Sequence, residues 1–114
     1  MPSKSLVAAS LRPFVLAILS DGPEYGYQII KRITDATDGY VTCTTGTLYP
    51  LLHTMENQGF LTSFWQPAEE GPKRKYYEIT ELGRTQLEAE RTDWIRVNSA
   101  LSSLWGPEKQ IQPL

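Results

Sequence analysis

The chain has 114 residues, 40% of them hydrophobic and 21% charged, with a formal net charge of −2; this suits one globular domain and excludes a disordered tail. A single cysteine, Cys43, and a single histidine, His53, exclude an internal disulfide and a Cys/His zinc cluster, so neither a metal nor a cofactor is expected. No apolar run nears the roughly 20 residues of a membrane span and the first ten residues lack the apolar centre of a secretory signal, so the expected location is the cytoplasm, with no membrane partner.

Ser10 is placed to cap a first helix in which Leu11, Phe14, Val15, Ile18 and Leu19 share one face, with Pro13 in the tolerant first turn. Asp21-Gly22-Pro23 ends it. A second helix is expected from about Tyr25 to Gly39, with Tyr27, Ile29, Ile30 and Ile33 as its apolar stripe and Lys31 and Arg32 pointing away. Between Thr42 and Gly59, Leu48, Leu51, Leu52 and Met55 repeat at i, i+3, i+4 and i+7, the spacing of a third helix capped by Thr44 or Thr45. Pro50 lies deep enough to kink that helix or to delay its start.

After Gly59 the pattern turns extended: Phe60 to Trp65, a loop through Pro67, Gly71 and Pro72, then Arg74 to Ile79, which together predict a two-stranded hairpin. Thr80 caps a last helix running to about Trp105, with Gly106-Pro107 as its stop and a loose tail to Leu114. Three helices followed by a hairpin give an α+β, mostly α fold: a winged helix-turn-helix over residues 1–80, with residues 81–114 as a C-terminal dimerisation helix and tail.

In that layout the third helix enters the major groove and the hairpin follows the backbone of double-stranded DNA. Opposite its apolar stripe the third helix carries Gly46, Pro50, His53 and Thr54, flanked by Thr47 and Tyr49: small groups that allow close approach and hydroxyls that can donate to phosphate. Residues 1–80 hold seven basic and eight acidic side chains, so a DNA-binding charge has to be local, and Lys73, Arg74 and Lys75 form the tightest basic group. A bland reading competes at each place, since polar faces and short basic runs are usually only solvated; their joint occurrence at the two expected places favours the DNA reading.

Three motifs sharpen this reading. Asp21-Gly22-Pro23 is followed by Tyr25-Gly26-Tyr27-Gln28-Ile29-Ile30-Lys31-Arg32-Ile33; then come Gly46-Thr47-Leu48-Tyr49-Pro50-Leu51-Leu52, and Gly71-Pro72-Lys73-Arg74-Lys75-Tyr76-Tyr77-Glu78-Ile79-Thr80 with Leu82-Gly83. From about Leu11 to Trp94 the sequence resembles the PadR family of bacterial transcription regulators. The resemblance implies a dimeric winged-helix regulator, usually a repressor of a palindromic operator, with Thr47, Tyr49 and Pro50 on the recognition helix and Lys73, Arg74, Lys75 and Tyr76 on the wing. The single C-terminal helix resembles the compact subgroup, some members of which respond to drugs. Family members often carry a basic residue or two just after the Leu-Tyr-Pro segment, where this chain has His53 and Thr54, so neither operator affinity nor base preference carries over.

Leu87, Trp94, Val97, Leu101 and Leu104 form a heptad seam that needs more partner surface than the head offers, which favours a homodimer; Glu90 interrupts the seam at a d position. On a two-fold axis Trp94 would meet its own copy. There it either packs as an interface residue or, with Asn98 one turn on, sandwiches a flat aromatic effector. Among other classes, an enzyme lacks visible partners for His53 or Cys43, a thiol switch at Cys43 competes with simple packing, and a protein-interaction module draws support from the net acidic charge.

Overall fold

The computed structural model describes residues 2–106. Its elements run α1 (Lys4–Leu19), β1 (Glu24–Tyr25), α2 (Gly26–Ala36), α3 (Thr45–Asn57), β2 (Leu61–Gln66), β3 (Arg74–Ile79) and α4 (Glu81–Trp105). The expected tail from Pro107 to Leu114 lies outside the described residues.

Helix α1 begins two turns earlier than expected. Ser3, not Ser10, is its cap: the Ser3 hydroxyl accepts the Leu6 N–H at 3.1 Å, whereas Ser10 lies inside the helix and donates to the Val7 carbonyl at 2.8 Å. Pro13 is therefore a mid-helix proline, at the cost of the backbone bond its missing N–H would have made. Leu11, Val15, Leu16, Ile18 and Leu19 are buried, as a 3.6-residue repeat requires.

A short strand that alternation could not reveal comes next. Glu24 and Tyr25 pair antiparallel with Tyr77 and Tyr76, so the expected two-stranded hairpin is the larger part of a three-stranded sheet, ordered β1-β3-β2. In α2 the fully buried hydrophobic residues are Ile29 and Ile33, and Ile30 packs at their edge. Tyr27, expected in that stripe, is 69% exposed. It precedes Ile29 by two residues, about 200° around the helix, and so faces the other way. Lys31 pairs with Asp35 at 2.7 Å, while Arg32 reaches back to Asp21 at 2.8 Å and ties α2 to the end of α1.

Thr44 caps α3, accepting the Thr47 N–H, and the helix runs unbroken through Pro50. Leu48, Leu52 and Met55 are fully buried and Leu51 packs at the margin. At Gly59 the backbone turns to φ +83°, a conformation open to glycine, and the Phe60 N–H closes onto the Met55 carbonyl at 3.0 Å. The chain then enters β2, which pairs with β3 from Leu61↔Ile79 to Gln66↔Arg74.

Helix α4, about 37 Å long by its 25 residues, stretches the molecule to 51 × 30 × 22 Å. Its base is anchored to the head: Leu87 packs on the core, and Glu90 turns toward α1, 3.5 Å from Arg12, which also bonds Gln58 at 3.0 Å. Glu90 thus leaves the heptad seam because it serves the α1 contact.

Candidate nucleic-acid interface

The β2–β3 hairpin and α3 stand as two walls of one cleft of about 830 Å³. Tyr49 and His53 project from α3, Tyr25 and Tyr27 from the β1–α2 junction, and Trp65, Lys73, Arg74 and Lys75 from the hairpin, with buried Tyr77 beneath and Glu70 at the rim. Tyr49 is held close to the α2 backbone because residue 26 is glycine; a Cβ there would strike the Tyr49 hydroxyl. That close approach brings α3 against the start of α2.

Electrostatics set the hairpin apart. Among the described residues the salt bridges engage Arg12, Lys31, Arg32 and Arg91, and none engages Lys73, Arg74 or Lys75. Arg74 instead lies over the Tyr25 ring at 4.6 Å and Lys75 over the Tyr77 ring at 5.5 Å, contacts that orient a cation without neutralising it. A chain with net charge −2 thereby keeps a positive edge on this cleft.

A sequence profile of the transcriptional regulator PadR-like family matches residues 15–89, well over half the chain. The chain belongs to the PadR family. Among solved structures it is similar to a PadR-like transcriptional regulator from Bacillus cereus, with 30% identity and a TM-score of 0.79 over 92% of this chain and 100% of that one. A transcriptional regulator from Clostridium thermocellum is similar at 25% identity, with a TM-score of 0.80 over 90% of this chain and 97% of that one. The transcriptional regulator YqjI of Escherichia coli is 38% identical over 81 residues, which cover 71% of this chain and 37% of YqjI. PadR proteins are transcriptional regulators and not enzymes, which disposes of the catalytic reading of His53 and Cys43. The fold is accordingly the winged helix, with the β2–β3 hairpin as its wing.

The residues singled out from the sequence do not all share the cleft. Tyr49, His53, Lys73, Arg74 and Lys75 do. Thr47 is exposed on the first turn of α3 but lines a separate groove of about 500 Å³ with Lys4, Tyr40 and Thr42. Pro50 is exposed on α3. Tyr76 lies outside the cleft lining, stacked on Phe64 at 5.7 Å and edge-on to Tyr25 at 5.4 Å, where it stiffens the hairpin. The cleft also takes in Tyr25, Tyr27 and Trp65, which the sequence does not single out for it, and Tyr27 is one that the sequence pattern places in the core.

On α4, Trp94 is half-buried against Ser10, Pro13 and Phe14 of α1, in a groove of about 260 Å³. Asn98 is exposed one turn on. Of the heptad seam, Leu87 and Leu101 are half-buried, whereas Val97 is 56% and Leu104 78% exposed.

Burial raises the pKa of three groups in the head: the Cys43 thiol, the Tyr49 hydroxyl, to which the neighbouring Tyr27 adds, and the Tyr77 hydroxyl, to which Glu56 and Tyr49 add. Folding thus favours their neutral forms. The resulting stabilisation is intact below the ordinary thiol and phenol values, about 8.5 and 10, and is lost as pH climbs through the raised ones. The urea midpoint is expected to fall between pH 8 and pH 10.5; an unchanged midpoint would contradict the burial argument. At neutral pH Tyr49 keeps its proton and can donate it in a hydrogen bond.

Proposed function

We propose that this PadR regulator binds double-stranded DNA as a homodimer and represses transcription from a palindromic operator. One observation carries the reading: α3 and the wing bring the Tyr49 hydroxyl and three cations that form no salt bridge among the described residues onto the walls of a single cleft. A helix is 10–12 Å wide and the major groove about 12 Å, so a helix lying in the groove has a phosphodiester strand along its flank. The cleft suits that strand. Tyr49, Lys73, Arg74 and Lys75 hold phosphates, Thr47 and His53 face base edges, Pro50 lets the α3 backbone come close, and Tyr76 supports the wing.

Residues 1–80 form the DNA-binding unit, and the helix that follows makes the dimer. The exposed Val97, Leu104 and Trp105 form, with Leu87, Trp94 and Leu101, one apolar strip along α4 that a second copy covers. Two-fold symmetry then sets the recognition helices about 34 Å apart, one turn of DNA. A flat aromatic effector enters beside Trp94 and Asn98 at that interface and releases the operator, in the manner of the drug-responsive members of the compact subgroup that the single C-terminal helix resembles.

The test combines sedimentation of the free protein with titration against DNA from upstream of its own gene and a scrambled duplex of equal length, at 50 and 200 mM salt. A dimer that prefers the upstream DNA and weakens steeply with salt is expected. Binding indifferent to salt would sink the DNA reading and leave a protein-interaction module.

A further inference from the structure

Trp65 has no role in the core, and at 62% exposure its indole stands largely in solvent. On β2 it continues the face that carries buried Leu61 and half-buried Ser63, but it lies beyond the end of the core. It pairs across the wing with Lys75 and lines the cleft opposite Tyr49 and His53. A large aromatic ring left in water, beside cations that form no salt bridge among the described residues, fits a partner with an apolar face framed by negative charge. A phosphodiester strand offers this combination, since its deoxyribose rings present C–H surface between successive phosphates.

We propose that Trp65 is a DNA-contacting residue, its indole packed against the deoxyribose face of the strand in the cleft while Lys73, Arg74 and Lys75 take the phosphates. The proposal rests on the DNA-binding reading and adds an apolar, salt-independent contribution to it. The wing thus grips its strand in two ways with different responses to salt.

Operator binding by the full chain carrying Trp65→Ala or Trp65→Phe, measured from 50 to 200 mM salt, separates the two. Trp65→Ala is expected to lose at least about fivefold in affinity, the lower range for stripping a stacked aromatic from nucleic acid, with an unchanged slope of log K against log salt. Trp65→Phe keeps most of the affinity. DNA should also quench the tryptophan emission of the wild type, and Trp65→Phe should lose that quenching even if the alanine variant folds poorly. Affinity of Trp65→Ala within twofold of wild type, a slope reduced as if a phosphate contact were gone, or quenching retained in Trp65→Phe would each overturn the proposal while leaving DNA binding intact. Wild-type binding indifferent to salt would instead sink the DNA reading and this inference with it.

Discussion

Replacing Lys73, Arg74 and Lys75 together by alanine is expected to abolish tight operator binding and to flatten its salt dependence, with little effect on folding. The three side chains project from the far end of the wing, form no salt bridge among the described residues, and lie outside the hydrophobic core. Their removal therefore disturbs the fold only through the two cation–π contacts, each worth about 0.5–1 kcal/mol at an exposed site. Against DNA the effect is far larger. Each phosphate neutralised contributes about −0.9 to the slope of log K against log salt, so three lost contacts flatten it by about 2.7 per subunit. At 0.1 M salt that corresponds to a loss on the order of 10²- to 10³-fold. A variant with wild-type slope would place the phosphate contacts elsewhere, for instance along the Lys4, Tyr40 and Thr42 groove on the other flank of α3. Tyr49→Phe provides the finer comparison: it removes one hydroxyl donor, keeps the ring over Gly26, and leaves the slope unchanged.

The core was legible wherever one face of a helix repeats its apolar residues. Leu48, Leu52 and Met55, or Leu11, Val15 and Ile18, declare their burial by spacing alone, and Thr44 and Thr80 mark the two helix starts that matter for the wing. Other features depend on contacts distant in sequence. β1 exists only because Tyr76 and Tyr77, some fifty positions away, offer an open edge to Glu24 and Tyr25. Ser3 and Ser10 are equally good caps on paper, and the choice falls to Ser3 because the helix can begin earlier and still lay Val7 against the core. The cleft was half legible: the basic run and the Tyr49 motif are visible in sequence, whereas Trp65 reads as an ordinary strand residue until β2 is seen to outrun the core. Tyr27 failed for a simpler reason. An aromatic among isoleucines passes for core until the helix phase is fixed by Ile29 and Ile33.

The second large effect is on stability, and its site is Gly83, the only buried residue of α4. The Gly83 N–H donates to the capping Thr80 hydroxyl at 3.0 Å; that hydroxyl donates to the Gly59 carbonyl at 2.6 Å, and the Thr80 N–H donates to the Phe60 carbonyl at 3.0 Å. The start of α4 is thus bolted to the α3–β2 junction at two successive carbonyls. A Cβ on residue 83 would run into the Phe60 carbonyl oxygen and lie 2.7 Å from Ile79 Cγ1, a collision with backbone that no rotamer change relieves. Gly83→Ala should gain the roughly 1 kcal/mol by which alanine favours a helix over glycine. It should lose more to overpacking, typically 1–3 kcal/mol and above that range where backbone has to move. A net fall in melting temperature of several degrees is expected, since 1 kcal/mol corresponds to about 4–8 °C in a domain of roughly this size. Gly46→Ala is the internal comparison, because an added Cβ there meets only Thr44 Oγ1 at 3.7 Å, an ordinary contact. That variant should melt at or slightly above the wild-type temperature. The same substitution in the first turn of two helices thus has opposite signs, decided by what lies beyond the missing methyl group. If Gly83→Ala were as stable as the wild type, the docking of α4 on the α3–β2 junction would have to be looser than the two Thr80 bonds indicate. The orientation of α4 relative to the wing, which would set the spacing of two recognition helices in the proposed dimer, would then need another anchor.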